Sequence, residues 1–403
     1  MIRLRAKRAQ LYTASFLVDA IGHAFPLVMA LRARHVYQAS ALDLGFLGMA
    51  WTAVYAAVCF LAGGLSDRLG SSRLFRAGLI LLSLVVGPFA VWAQGLAQLY
   101  LVNALFGLGL AFFWPPLQRE LSFLSPGRTL WTSLGAFNLA WAAGSSFGTW
   151  FGGPSVYADL GFAPLAFAAS GIILLALIST LGRWTAPGHA RVEISADAAA
   201  IDAPVDPARA TLFLHLGRVA NFCSALAMAG THAVFVDVAL RLGLSAGSSA
   251  LILIAKEAGR FVAFTLLRSV SAWHYSLAWL VALQAAGALA LLAGGATADP
   301  TLLAIVFFIL GLFSGLAYYS SIYYALNLRA AEGRKSAVHE GILALGAVLG
   351  PFACGVAGDL FPAWPGGVLA STGLLLLGGC AVELGMARVA SANRSWPAPR
   401  GGG

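Results

Sequence analysis

The sequence predicts an all-α integral membrane protein built from two six-helix bundles, and three observations lead there. Apolar runs of about 20 residues recur along the whole chain, the length a helix needs to cross the hydrocarbon core of a bilayer. Only 10% of the 403 residues are charged and 60% are hydrophobic, against about 25% charged in a soluble globular chain. The two halves of the chain also repeat each other at an offset of 206 residues.

Each element follows from the first observation. In lipid every backbone group must be satisfied within its own segment, so the apolar runs are expected to be helices. A transmembrane barrel would show short alternating segments instead, and none is read. Twelve spans are expected, near 10–31, 44–66, 74–93, 97–118, 130–152, 163–183, 211–236, 245–267, 275–295, 301–326, 337–360 and 366–387. The basic start, Arg3, Arg5, Lys7 and Arg8, followed by an apolar run mimics a secretion signal. Asp19 and His23 inside the run, and the lack of a small-residue cleavage site, argue for a first span.

Lys and Arg set the orientation. Arg32, Arg34 and Arg241 are the only ones expected in outer loops, and Arg218, Lys256 and Arg260 lie within spans. The rest fall on the inner side when both termini are cytoplasmic. This distribution accounts for the net charge of +9 without a nucleic-acid partner. Cys59, Cys223, Cys354 and Cys380 all lie in apolar runs without ligand spacing, so they read as packing residues. No metal or cofactor is called for.

Residues 184–210 are rich in Ala, Pro and acid and lack apolar periodicity, so they read as a flexible cytoplasmic linker. The expected domains are a bundle over 1–183, the linker, a second bundle over 211–390, and a disordered polar tail over 391–403. The repeat supports this division. Aligning 127–153 with 333–359 pairs Gly127 with Gly333, Gly135 with Gly341, Gly144 with Gly350 and Gly152 with Gly358. The same offset pairs Gly109-Leu110-Ala111 with Gly315-Leu316-Ala317, so spans 4 and 5 repeat as spans 10 and 11. An even number of spans per unit gives both copies the same topology, a parallel repeat.

Between spans 2 and 3 stands Gly63-Gly64-Leu65-Ser66-Asp67-Arg68-Leu69-Gly70-Ser71-Ser72-Arg73. This loop resembles the signature loop of the major facilitator superfamily at Gly63, Leu65, Asp67, Arg68 and Gly70. It departs at Ser71-Ser72, where that family has two basic residues, with Arg73 a partial substitute. Gly63 allows close helix approach, and Asp67 can cap a helix or pair with a cation, Arg128 being one candidate. The resemblance implies that the loop latches the bundles in the outward-facing state. Glu340 is expected to act across the same gate from the second half. Gly346 to Pro351 in span 11 resembles the G-x-x-x-G-P pattern that antiporters carry in span 5. Here span 5 has Gly144-Ser145 instead, so the pattern sits in the other half.

Charges at bilayer depth cost about 2.5–3.5 kcal/mol on insertion scales and mark functional candidates. Asp19 and His23 share a face of span 1, Lys256 and Arg260 a face of span 8, and Glu257 can pair with Arg260. The resemblance implies that spans 1, 4, 7 and 10 line a central cavity flanked by 2, 5, 8 and 11, so these charges are expected to converge. The expected substrate contacts are Lys256, Arg260, Arg218, Asn221, Tyr318 and Tyr319. Asp19, His23 and Glu257 are the candidates for proton coupling. His215 and His232 read as structural, Tyr323 and Tyr324 as an interfacial aromatic belt, and Trp114-Pro115-Pro116 as a helix end at a gate.

The expected activity is alternating-access secondary transport of a small organic solute, coupled to protons, by a monomer in a bacterial inner membrane. An excess of intramembrane cations favours an anionic or carboxylate-bearing solute. Drug/proton antiport of the multidrug-efflux type competes, and a non-transporting receptor or scaffold is a third reading. An enzyme would need an H-E-x-x-H pair or a G-x-S-x-G serine on a strand-to-helix turn; the match at Gly144 to Gly148 lies inside expected span 5, and neither H-E-x-x-H nor the P-loop of an ATP-driven pump occurs.

Overall fold

The computed structural model describes residues 2–125, 128–181, 206–267, 269–327 and 332–392. These residues form helices and no strand. In chain order the long helices are α1 (Ile2–Tyr37), α2 (Ala41–Leu69), α3 (Ser71–Trp92), α4 (Leu96–Leu124), α5 (Arg128–Phe151) and α6 (Phe162–Ser179). The second set is α7 (Pro207–Arg241), α8 (Ala246–Leu267), α9 (Leu277–Gly294), α10 (Pro300–Asn327), α11 (Glu332–Leu360) and α12 (Gly367–Ala392). A short helix, Pro154–Leu160, joins α5 to α6.

Ten of these helices are long and apolar enough to cross a membrane. The other two are α5 and α8. In α5 the apolar character is diluted by Asn138, Ser145, Ser146 and Thr149; α8 carries Lys256, Glu257 and Arg260 near its middle. The two least membrane-like helices are thus the pair that, below, builds the charged centre.

Helix starts carry their own signals. Asp206 caps α7, its carboxylate accepting from the Arg209 N–H at 3.1 Å, with Pro207 at the first helical position. The expected linker therefore ends at Asp206, and its last four residues belong to α7; 184–205 lie outside the described residues. Ser40 and Asp43 form a reciprocal capping box at α2, at 2.9 and 3.1 Å. Gly70, between α2 and α3, has φ +86°, a conformation that favours glycine. Its place in the signature loop is thus explained by the backbone. Arg68 is exposed there. The side chains of Asp67, Arg128 and Glu340 lie outside the described residues, as does the surroundings of Gly63.

Three expectations about the helices need correction. The α4 helix does not end at Pro115-Pro116 but runs through both to Leu124. Neighbouring helices can satisfy carbonyls freed by an internal proline, so a span tolerates it. In α3 the missing N–H of Pro88 coincides with a π-helical turn at Val85–Phe89, where a regular helix was expected. The expected tail begins two residues too early, because α12 includes Ser391 and Ala392.

The halves repeat in three dimensions. In the first, α1 packs on α5 and α6, α4 on α2 and α3, and α3 on α6. In the second, α7 packs on α11 and α12, α10 on α8 and α9, and α9 on α12. Across the halves α2 packs on α11 and α5 on α8, again an equivalent pair. Glycines allow the closest approaches, as is usual where lipid supplies no hydrophobic drive between helices. A Cβ at Gly144, Gly148 or Gly152 of α5 would collide with the α1 backbone at Phe16, Ala20 or Ala24. A Cβ at Gly346 or Gly350 of α11 would collide with α7 at Phe222 or Leu226. Phe16 and Phe222 are 206 positions apart, yet their partners Gly144 and Gly346 are 202 apart. The offset of 206 for α5 and α11 is also met, since Gly144 on Phe16 corresponds to Gly350 on Leu226, with α7 then one turn further along than α1.

Candidate functional site

A cavity of about 180 Å³ lies between the halves, bounded by α1, α2, α4, α7, α8 and α11. Its charged wall is supplied by His23 of α1, His232 of α7, and Lys256, Glu257 and Arg260 of α8; Trp51 and Asn103 add polar edges from α2 and α4.

Glu257 is the hub, with no solvent exposure. One oxygen contacts the Arg260 guanidinium, and the other lies 3.5 Å from the Lys256 ammonium and 3.9 Å from His23 Nε2. Lys256, also buried, donates to the Met228 carbonyl of α7 at 3.3 Å. Arg260 then reaches across to the first half. Its Nη2 donates to Ser145 Oγ of α5 at 3.1 Å and lies 3.4 Å from His23 Nε2. Its guanidinium stacks over Trp141 of α5 at 4.7 Å. Ser145 in turn donates to Asp19 Oδ2 at 2.6 Å, and His23 Nδ1 lies 3.3 Å from the same oxygen. A continuous polar chain thus runs from Asp19 through Ser145 and Arg260 to Glu257 and Lys256, joining α1, α5 and α8.

The structure brings together Asp19, His23, Lys256, Glu257 and Arg260, as expected. It adds His232, which sequence reasoning had taken as structural. Its ring meets His23 edge-on at 5.6 Å, and neither ring nitrogen has a hydrogen-bond partner. Arg218, Asn221, Tyr318 and Tyr319 do not line this cavity. Asn221 is buried on α7 with both side-chain polar atoms unpartnered. Tyr318 packs on Trp141, Phe264 and His339, at 5.7, 5.9 and 5.4 Å between ring centres. It stands behind the stacked Arg260–Trp141 pair. His339 of α11 is bonded to Ser321 of α10 at 2.8 Å.

Tyr323 and Tyr324 are not an interfacial belt. Both are almost completely buried. The Tyr324 hydroxyl accepts from the Tyr275 N–H at 3.2 Å, and the Tyr323 hydroxyl lies 3.2 Å from His274 Nδ1. They pin the α8–α9 connection to α10.

Two contributors were missed. Ser145 occupies the position where the span 5 pattern of antiporters has proline, and its hydroxyl is what bridges Asp19 and Arg260. The second is a latch at the end of the bundle away from the chain termini. There Arg34 of α1 meets Asp237 of α7 at 3.0 Å, and Arg241 holds the other Asp237 oxygen at 2.7 Å. Arg241 also donates to the carbonyls of Gly358, Phe361 and Pro362 at the end of α11. Beside it, α2 and α11 touch through backbone: a Cβ at Gly45 would strike the Pro351 carbonyl, and one at Gly355 the Ala41 carbonyl. The cavity is therefore closed at this end.

A family model described as Major Facilitator Superfamily matches residues 11–351. Among solved structures, the chain resembles a bacterial homolog of the human lysosomal transporter Spinster in its inward-facing, occupied conformation, with a TM-score of 0.73 and 16% identity over 96% of each chain. The unoccupied inward-facing form gives 0.65 at 16% identity, covering 96% of this chain and 95% of that one. A mutant form of the nucleoside transporter NupG gives 0.69 at 11% identity, covering 94% and 99%. At such identities these likenesses speak to the fold. Together with the match over most of its length and the repeated helix pairing, they lead to one assignment: the chain belongs to the Major Facilitator Superfamily.

Proposed function

We propose that the protein is a secondary active transporter that moves a small organic solute bearing a carboxylate or other anionic group, by alternating access and with proton coupling. The observation that carries this reading is the Arg260 guanidinium. It sits between the halves at the wall of the cavity, tied to both, and is the strong cation there that keeps some exposure. An anionic group on the solute would compete with Glu257 for Arg260 and Lys256, loosening the link to Ser145 and so coupling occupancy to rocking of the halves. His23, touching both Asp19 and Glu257, is placed to pass a proton between the two carboxylates. The rocking bodies are the bundles over 1–183 and over α7–α12. The charge pattern supports cytoplasmic termini in a bacterial inner membrane, which puts the Arg34–Asp237 latch outside.

The cavity volume of about 180 Å³ favours a small solute over multidrug export, since pockets for drug-sized ligands span about 300–1,000 Å³. The test is uptake of small organic acids, neutral solutes and lipophilic cations into proteoliposomes under an imposed pH gradient. Arg260→Ala and Lys256→Ala are run in parallel with thermal stability of the purified protein. Organic-acid uptake driven by the gradient and lost in both variants supports the proposal. Transport of lipophilic cations that both variants retain overturns it and reduces the α8 charges to structural pairs.

A further inference from the structure

Away from the central cavity, inside the second bundle, one carboxyl has no counter-ion. Glu383 of α12 is completely buried, and neither of its oxygens has a hydrogen-bond partner. The other buried carboxylates described above are ion-paired: Glu257 with Arg260 and Lys256, Asp237 with Arg34 and Arg241. The elements packed on α12 here are α7, α9 and α11. From α7 comes the Cys223 thiol, from α9 the Gln284 amide, and from α12 itself Cys380, three residues before Glu383. The described part of α11 contributes Cys354, which is bonded to Thr372 further along α12. Arg218, five residues before Cys223 on α7, makes no ion pair with Glu383, and among the described residues no Lys or Arg does.

The place is built rather than accidental. Gly379 lies one turn before Glu383, on the same face of α12. A Cβ there would collide with the Gln284 amide nitrogen and with Cys223 Sγ, which lies 2.5 Å from the built atom. The bare glycine thus makes room for an amide and a thiol beside the carboxyl. Gln284 commits its N–H to the Leu376 carbonyl at 3.0 Å, which leaves its own carbonyl oxygen buried and unpartnered. Among the described residues no cation stands beside the Glu383 carboxyl. An ionised carboxylate is too costly to bury unpaired, whereas a protonated one is neutral and bears that burial at far lower cost.

We propose that Glu383 is a second proton-binding site, distinct from the central cavity, whose carboxyl is protonated in this conformation and is walled by Gln284, Cys223 and Cys380. The proton on Glu383 is gained from solvent when the bundle assembles or opens and is returned when the pocket becomes wet. The site stands whether or not the central cavity takes an anion.

The test uses the purified full-length protein. Infrared spectra in H₂O and D₂O should contain a protonated-carboxyl band that shifts in D₂O at neutral pH and disappears in Glu383→Gln. Glu383→Gln, a neutral mimic of the same shape, should be no less stable than wild type at neutral pH. It should also lose the fall in melting temperature that the wild type shows as pH rises from the ordinary carboxyl range towards neutrality, where the unfolded carboxyl is ionised and the buried one is not. A solute-induced stability shift at the central site should survive in Glu383→Gln and vanish in Arg260→Ala, so failure here and failure of the transport reading are separable. Absence of the band from the wild-type spectrum, a measurement that needs no variant, overturns the proposal. So does a Glu383→Gln protein that is strongly destabilised at neutral pH, the mark of a lost ionic contact. A stabilisation of wild type by Na⁺ at neutral pH that Glu383→Gln lacks overturns it in favour of a metal cation.

Discussion

Glu257, fully buried, holds together the Lys256 and Arg260 cations and the His23 ring. Removing its charge leaves Lys256 and Arg260 without their counter-ion, and breaking a buried pair costs about 3–5 kcal/mol. We therefore expect Glu257→Gln to lower the melting temperature of the purified protein sharply. Adding Lys256→Met to it should recover part of the loss, since no unpaired ammonium then remains. A double variant no more stable than Glu257→Gln would show that Lys256 is not held by Glu257. Ser145 makes the narrower prediction. Its hydroxyl bridges Asp19 and Arg260 at 2.6 and 3.1 Å, and hydrogen bonds to charged groups contribute about 1.5–3 kcal/mol each. Ser145→Ala should weaken solute binding by roughly tenfold or more, measured by titration, while the protein still folds. Unchanged affinity would place the bridge outside the binding event. The α8 charges were legible in the sequence because a charge at bilayer depth has few innocent explanations. Ser145 and Trp141 were not, since serine and tryptophan are ordinary in membrane helices. Glu383 was passed over in the last span, where nothing nearby in sequence showed that its surroundings would lack a cation.

The α5–α1 and α11–α7 contacts are made backbone to backbone, through Gly144, Gly148 and Gly152 on one side and Gly346 and Gly350 on the other. Overpacking a close-fitted site costs about 1–3 kcal/mol. Gly148→Leu should therefore destabilise the protein by at least that much and disturb the Asp19–Ser145 bridge, since Ser145 is less than one turn away. Gly171, around which a Cβ would meet nothing, serves as the control, and equal effects at both positions would refute the packing argument. The same scale explains what the sequence yielded about helices. Long apolar runs and the glycine repeat located α1 to α12 in order. The short helix Pro154–Leu160 went unread because its seven residues are too few for a periodic signal, although Pro154 at its start and Gly161 with φ +75° at its end are the expected punctuation. The prolines of α4 misled because a single sequence does not show which neighbour will satisfy a freed carbonyl.

For the molecule as a whole, the two halves meet at α2–α11 and at α5–α8, with Arg34–Asp237 as the ionic link between α1 and α7. Arg34 retains 26% side-chain exposure, and pairs of that kind contribute about 0.2–1 kcal/mol. Arg34→Ala should then raise the open population at this end by no more than about fivefold. The readout is labelling of Leu47→Cys, at the cavity wall, by an impermeant thiol reagent in a background without native cysteines. Arg241→Ala should instead lower thermal stability with little change in labelling, because Arg241 binds Asp237 and α11 within one half. The reverse pattern would mean that the latch lies within the second bundle rather than between the two.

The close contact of Arg34 with Asp237 has one more consequence. Charges farther apart than about 8 Å at physiological ionic strength, or about 3 Å at 1 M, are largely screened, whereas Arg34 and Asp237 touch at 3.0 Å. Ordinary salt should thus leave this closure nearly untouched, and only molar brine on that side of the membrane should loosen it.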